Sequence, residues 1–221
     1  MQVPGFDEFV IKATVVAVML LVAFPIHEFS HALAAYRLGD GTARLMGRLT
    51  LDPRAHFDPM GGVLLAVSFL FFGFGFGWAK PTPYNPMNLR GGRWGEAIVS
   101  AAGPISNLAL AVAGAIPYRW IQFSGMDVPI VQAFLGFFVL INLILMIFNL
   151  IPIPPLDGSK VLFAFLSPRT VWQVRPVLEQ YGLFILLAAM FLPIFPGQQT
   201  LASAVFGTLL DPLLFLLLGT R

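Results

Sequence analysis

The chain has 221 residues, of which 57% are hydrophobic and only 11% charged, with a mean hydropathy of +0.82. Soluble globular domains carry roughly 25% charged residues, so this composition excludes a water-soluble monomer. The net charge of +2 comes from thirteen Lys and Arg scattered singly over the polar stretches, which form no basic patch for nucleic acid and read instead as topology signals. The absence of cysteine excludes disulfides and thiolate ligands to a metal.

The first apolar run, Phe9 to Ala35, predicts a membrane helix with Lys12 near its start and His27, Glu28 and His31 near its end. It is too long, and too polar at its C-terminal end, for a cleaved signal peptide. A polar loop rich in Arg, Asp and Gly follows from Arg37 to Pro59. The run Gly61 to Ala79 ends in the alternation Gly73-Phe74-Gly75-Phe76-Gly77; that many glycines argue against a regular spanning helix and for a re-entrant or shallow segment. A stretch with Lys80, Pro81, Pro83, Pro86, Arg90 and Arg93 leads to the run Ala97 to Pro117, in which Asn107 is the polar exception. The longest run, Val128 to Leu156, must end as a helix at Pro152, Pro154 and Pro155, which lack the N–H the helical ladder needs. Gly158 to Tyr181 reads as an amphipathic, surface-lying connection. Two runs remain, a short one from Leu183 to Phe195 and one from Leu201 to Leu218 broken at Asp211-Pro212. The expectation is an all-α polytopic membrane protein of about five to six membrane helices. It forms one domain over residues 1–221, with a motif-bearing core at about 9–165 and C-terminal helices at about 181–219.

His27-Glu28-Phe29-Ser30-His31 is an H-E-x-x-H motif. The i, i+4 spacing stacks both imidazoles on one helical face, where they can share one zinc ion, and it sets Glu28 to polarise a water beside the metal. Ionisable groups inside a membrane helix are costly, which makes a chance cluster a poor explanation. A catalytic zinc takes three protein ligands and leaves a position open. The candidates for the third are His56, Asp52, Asp58 and Asp157. Asp157 follows the proline-broken end of the longest helix, where irregular backbone at membrane depth must be buried or line a wet cavity; it reads equally as a turn residue in Leu156-Asp157-Gly158.

Combined with Asn149-x-x-Pro152-x-Pro154-Pro155-Leu156-Asp157-Gly158, the His27–His31 motif resembles the site-2 protease family of intramembrane zinc metalloproteases. The stretches Leu51-Asp52-Pro53-x-x-His56-x-Asp58-Pro59, Gly77-Trp78-Ala79-Lys80-Pro81-x-Pro83 and Ala102-Gly103-Pro104-x-Ser106-Asn107 are similar to its small bacterial members, which lack PDZ-like and CBS-like domains. The resemblance implies one zinc per chain held by His27, His31 and Asp157, with Glu28 as general base. It also implies that Asn107 and Asn149 lie near substrate, although Asn107 reads as readily as an asparagine bonded between helices. His56 is assigned to packing or capping of its loop. The implied activity is hydrolysis of peptide bonds in or near transmembrane segments of other proteins within the bilayer. Two alternatives stand beside it: a divalent-cation transporter and a non-catalytic membrane scaffold of the same fold.

Shared metal ligation fixes a parity. His31 and Asp157, 126 positions apart, must lie at one membrane depth. They reach the same side if Gly61 to Ala79 does not cross. Eleven of the thirteen basic residues then fall on the active-site side, with Lys12 and Arg119 opposite, against eight and five for a full crossing. The positive-inside rule accordingly predicts an active site nearer the cytoplasmic face of the cell membrane.

Overall fold

The computed structural model describes residues 6–72, 77–193 and 200–219. Among these residues the secondary structure is helical, with no strand. Four helices are long and apolar enough to cross a bilayer, Ala13–Arg37, Arg93–Ser124, Pro129–Asn149 and Pro168–Phe191, and two shorter apolar helices accompany them. The chain is thus an all-α, multi-pass membrane protein. Its exposed Phe71, Trp120, Phe123, Trp172 and Leu216 suit a surface whose solvent is lipid.

The first crossing is built from α1 (Phe6–Val18), a π-helical turn (Met19–Ala23) and α2 (Phe24–Arg37). Pro25 has no N–H to offer the carbonyl of Leu21, and just before it the amide of Phe24 reaches five residues back to Met19 O. One wide turn absorbs the proline and rotates the motif-bearing α2 relative to α1. Two single-turn helices, α3 (Thr42–Leu45) and α4 (Pro53–His56), interrupt the polar loop.

Helix α5 (Pro59–Phe72) has 14 residues, about 21 Å of rise against a hydrocarbon core of about 30 Å. Asp58 Oδ1 accepts from Gly61 N (2.8 Å) and fixes its start. By Lys80 the chain is back at that start, since Lys80 N donates to His56 O (2.8 Å), and Gly77 and Trp78 pack on Gly61 with no room for a Cβ. The chain thus returns beside the start of α5, as the expected re-entrant or shallow segment would. Of the glycine strip, Gly73 to Phe76 lie outside the described residues; residues 77–85 form neither helix nor strand.

Helix α6 (Arg93–Ser124) is the hub, packed on α2 and on α7 (Pro129–Asn149), α8 (Asp157–Phe165) and α10 (Leu201–Leu218). Small residues at Ala111, Gly114 and Ala115 admit α7 closely, as membrane helix pairs require. Val139, Leu143, Met146 and Ile147 complete that core. Helix α7 ends at Asn149, as the prolines after it dictate.

Two expectations need correcting. Residues 158–181 are more than a connection: α8 and the first part of α9 (Pro168–Phe191) occupy them, the latter mostly exposed as a surface-lying segment would be, and α9 begins where Ser167 caps Thr170 N and Pro168 takes the first turn. One of its polar residues, half-exposed Arg175, reaches in to buried Glu96 of α6 and pairs along its own helix with exposed Glu179. The run Leu183 to Phe195 is therefore the distal half of a long helix; Phe195 itself lies outside the described residues. Nor is Leu201 to Leu218 broken at Asp211-Pro212. Helix α10 continues through Pro212 because Val205, Phe206, Leu210, Leu213 and Leu214, before and after the proline, seat on the α6–α7 core.

Candidate metal centre

The rotation of α2 turns His27 and His31 inward, where both are buried and their Nε2 atoms lie 3.0 Å apart. The loop that ends α7 delivers Asp157 to the same point: its Oδ2 is 3.3 Å from His27 Nε2 and 3.2 Å from His31 Nε2. Gly158 makes this possible, because a Cβ there would strike the carbonyls of Leu150 and Ile151.

The proton positions follow from the partners. His31 Nδ1–H donates to Val99 O (2.7 Å), which can only accept. His27 Nδ1–H donates to Asn107 Oδ1 (2.6 Å), Asn107 Nδ2 donates to Asn142 Oδ1 (3.0 Å), and Asn142 Nδ2 donates to Phe138 O (2.9 Å). The carbonyl at the end of this relay fixes the orientation of both amides and hence the tautomer of His27. Both Nε2 atoms are then bare lone pairs facing a carboxylate oxygen. With both imidazoles neutral, three acceptors lie 3.0–3.3 Å apart, an arrangement that repels unless a proton or a metal cation sits among them. Bonds of about 2.0–2.1 Å to a tetrahedral zinc would separate its ligands by about 3.3–3.4 Å. The donor set fits zinc on chemistry and on spacing. Gly103 completes the cradle, since a Cβ on it would collide with Nε2 of both histidines.

Glu28 lies beside this cluster, with its carboxylate and the two histidine nitrogens within 4.8 Å of one another. The irregular segment after α5 crosses it: Thr82 N donates to Glu28 Oε2 (2.7 Å) and Thr82 Oγ1 to Glu28 O (2.9 Å). Farther along, buried Asp40 takes bonds from Asn85 N and from Asn88. Burial works against its carboxylate, but these bonds and that of Thr42 outweigh it and hold its pKa below the ordinary value. Lys160 lies over the Tyr84 ring at 5.2 Å; burial disfavours its ammonium, yet Tyr84 and the charges of Asp157 and Glu96 raise its pKa overall.

The other candidate ligands lie elsewhere. Asp52 caps α4 and pairs with Arg54, Asp58 caps α5, and buried His56 donates from Nε2 to Thr50 O (2.8 Å). Asn107 is fully buried with its amide committed to His27 and Asn142, and Asn149 Nδ2 bonds Leu145 O of its own helix (2.9 Å). The sequence reading did not single out Val99, Asn142 or Thr82, or give Gly103 a role. Asn142 was visible as an isolated amide in the most apolar helix, and Thr82 as the one N–H between two prolines.

The family model described as Peptidase family M50 matches residues 116–192, a stretch that contains Asp157 and not the His27–His31 motif. The chain is 36% identical over 182 residues to "Putative zinc metalloprotease YwhC" of Bacillus subtilis, covering 80% of each chain. The chain belongs to peptidase family M50, the site-2 protease family. Other members similar to it are the proteins named "Putative zinc metalloprotease Rip2". That of Mycobacterium tuberculosis is 34% identical over 80% of this chain and 66% of its own; that of Mycolicibacterium smegmatis is 35% identical over 78% and 65%. No solved structure matches this M50 chain.

Proposed function

We propose that this M50 protein is a zinc endopeptidase that cuts peptide bonds in or beside transmembrane segments of other membrane proteins. The observation that carries the reading is the convergence of His27 Nε2, His31 Nε2 and Asp157 Oδ2 while both Nδ1–H groups are committed elsewhere. One zinc per chain held there would supply Lewis acidity to a carbonyl oxygen and to a water. With Oε2 of Glu28 taken by Thr82, Oε1 is left to remove the water proton and pass it to the departing amine. Asn107 and Val99 keep the imidazoles in the tautomer that leaves Nε2 free to bind. A substrate helix must unwind to expose its carbonyls, and residues 77–85, which form no helix and continue the Gly73–Gly77 strip, would offer it strand-like pairing. The distribution of basic residues supports a centre nearer the cytoplasmic face.

The test compares wild type with Glu28→Gln for zinc content and for cleavage of a model transmembrane substrate. The expected result is about one zinc in both and cleavage only by wild type. A folded wild type that binds no zinc, or a Glu28→Gln protein that cleaves normally, overturns the assignment.

A further inference from the structure

We propose that Thr82 is the residue that positions the Glu28 carboxylate, an inference that rests on Glu28 being the proton-transferring group. Three observations converge on it. Thr82 is buried although its neighbour Pro81 is exposed and Pro83 only half-buried, so its side chain is turned into the protein. It grips Glu28 twice, by N–H to Oε2 (2.7 Å) and by hydroxyl to the main-chain carbonyl (2.9 Å). It also sits between two residues that have no N–H, which makes its amide the one main-chain donor available over residues 81–83.

The two bonds have different jobs. A Glu side chain has three rotatable bonds, and nothing on its own helix fixes where its carboxylate points. The amide of Thr82 pins one oxygen and leaves the other free beside the histidines. The hydroxyl, anchored on a helical carbonyl that does not move with the Glu28 rotamer, sets the register at which that amide arrives. A base held in one place before substrate binds avoids the reorganisation a mobile one must undergo. The flanking prolines stiffen the approach, and the bonds from Lys80 N to His56 O and from Asn85 N to Asp40 tie the segment down on either side. The position of the base is therefore set from outside its own helix, by the segment that follows α5.

The test uses full-length protein in detergent and reads three quantities for wild type, Thr82→Val, Thr82→Ser and Glu28→Ala. Zinc content should be unchanged in both Thr82 variants, because neither bond involves a ligand. Cleavage of the model substrate should fall in kcat by about tenfold or more in Thr82→Val with KM little changed, and Thr82→Ser should recover most of the loss. Hydrogen exchange of the metal-free protein supplies a readout that needs no activity. Any fragment of residues 81–83 carries a single exchangeable amide, and that amide should exchange about tenfold faster or more in Glu28→Ala than in wild type. Full kcat in Thr82→Val, or equal exchange in Glu28→Ala and wild type, overturns the proposal. If wild type cleaves nothing, the endopeptidase reading fails, and with it the proton role on which the proposal depends; exchange still reports whether Thr82 holds the carboxylate. If Thr82→Val loses zinc along with cleavage, Thr82 is a structural support of the metal centre and the positioning role falls.

Discussion

Asn107 decides which nitrogen of His27 carries the proton, and so whether the metal meets a lone pair. Replacing it with Ala removes the acceptor without touching a ligand. Zinc affinity, measured by competition with a chelator, should fall about 10–100-fold, as it does when such hydrogen-bond partners of metal-bound histidines are lost; unchanged affinity would show that the relay to Phe138 does not set the tautomer. Gly103→Ala should abolish zinc binding through the collision of its Cβ with both Nε2 atoms. At this scale the sequence was most informative about side chains with a fixed spacing: His27, Glu28 and His31 announce themselves by one helical turn, and Asp157 by the prolines before it. It was silent about partners that are backbone. Val99 contributes a carbonyl and Gly103 the lack of a side chain, and neither leaves a chemical signature in a string of letters. Asn107 was legible as an oddity, while its placement under His27 depends on how α6 is rotated.

Among the elements, the long apolar runs were read correctly because burial in lipid demands unbroken hydrophobicity. The misreadings arose where packing against other helices overrides the local pattern, as apolar seating carries α10 through Pro212. The N-terminal half of α9 looks amphipathic because its Arg175 is spent on Glu96, and that pairing is invisible without the fold. The pair is asymmetric, with side-chain exposures of 32% for Arg175 and 8% for Glu96. Arg175→Ala leaves a buried carboxylate without its partner. It should destabilise the protein by on the order of 2 kcal/mol, less than the ~3–5 kcal/mol of a fully enclosed pair. Adding Glu96→Gln should restore part of that loss, which thermal unfolding in detergent would register; a double variant no better than the single would mean that the ion pair does not join α9 to α6. The π turn before Pro25 is the converse case, a backbone adjustment with a legible cause but a register consequence that only coordinates reveal.

For the molecule as a whole, ligation of one ion by His31 and Asp157 would call for one membrane depth, and the return of Lys80 to His56 fits a chain in which only α6 and α7 cross between them. Orientation is a separate matter, open to labelling because the chain has no cysteine of its own. A cysteine at exposed Pro86 should react only with a reagent that has reached the cytoplasm; labelling from the outside alone would invert the proposed topology. The segment next to that site is short of donors. Pro81 and Pro83 have no N–H, and those of Lys80, Thr82 and Asn85 are spent on His56, Glu28 and Asp40. Over residues 80–83 no main-chain N–H is left to donate, so two copies cannot zip together there, and only a chain that brings its own donors finds a partner.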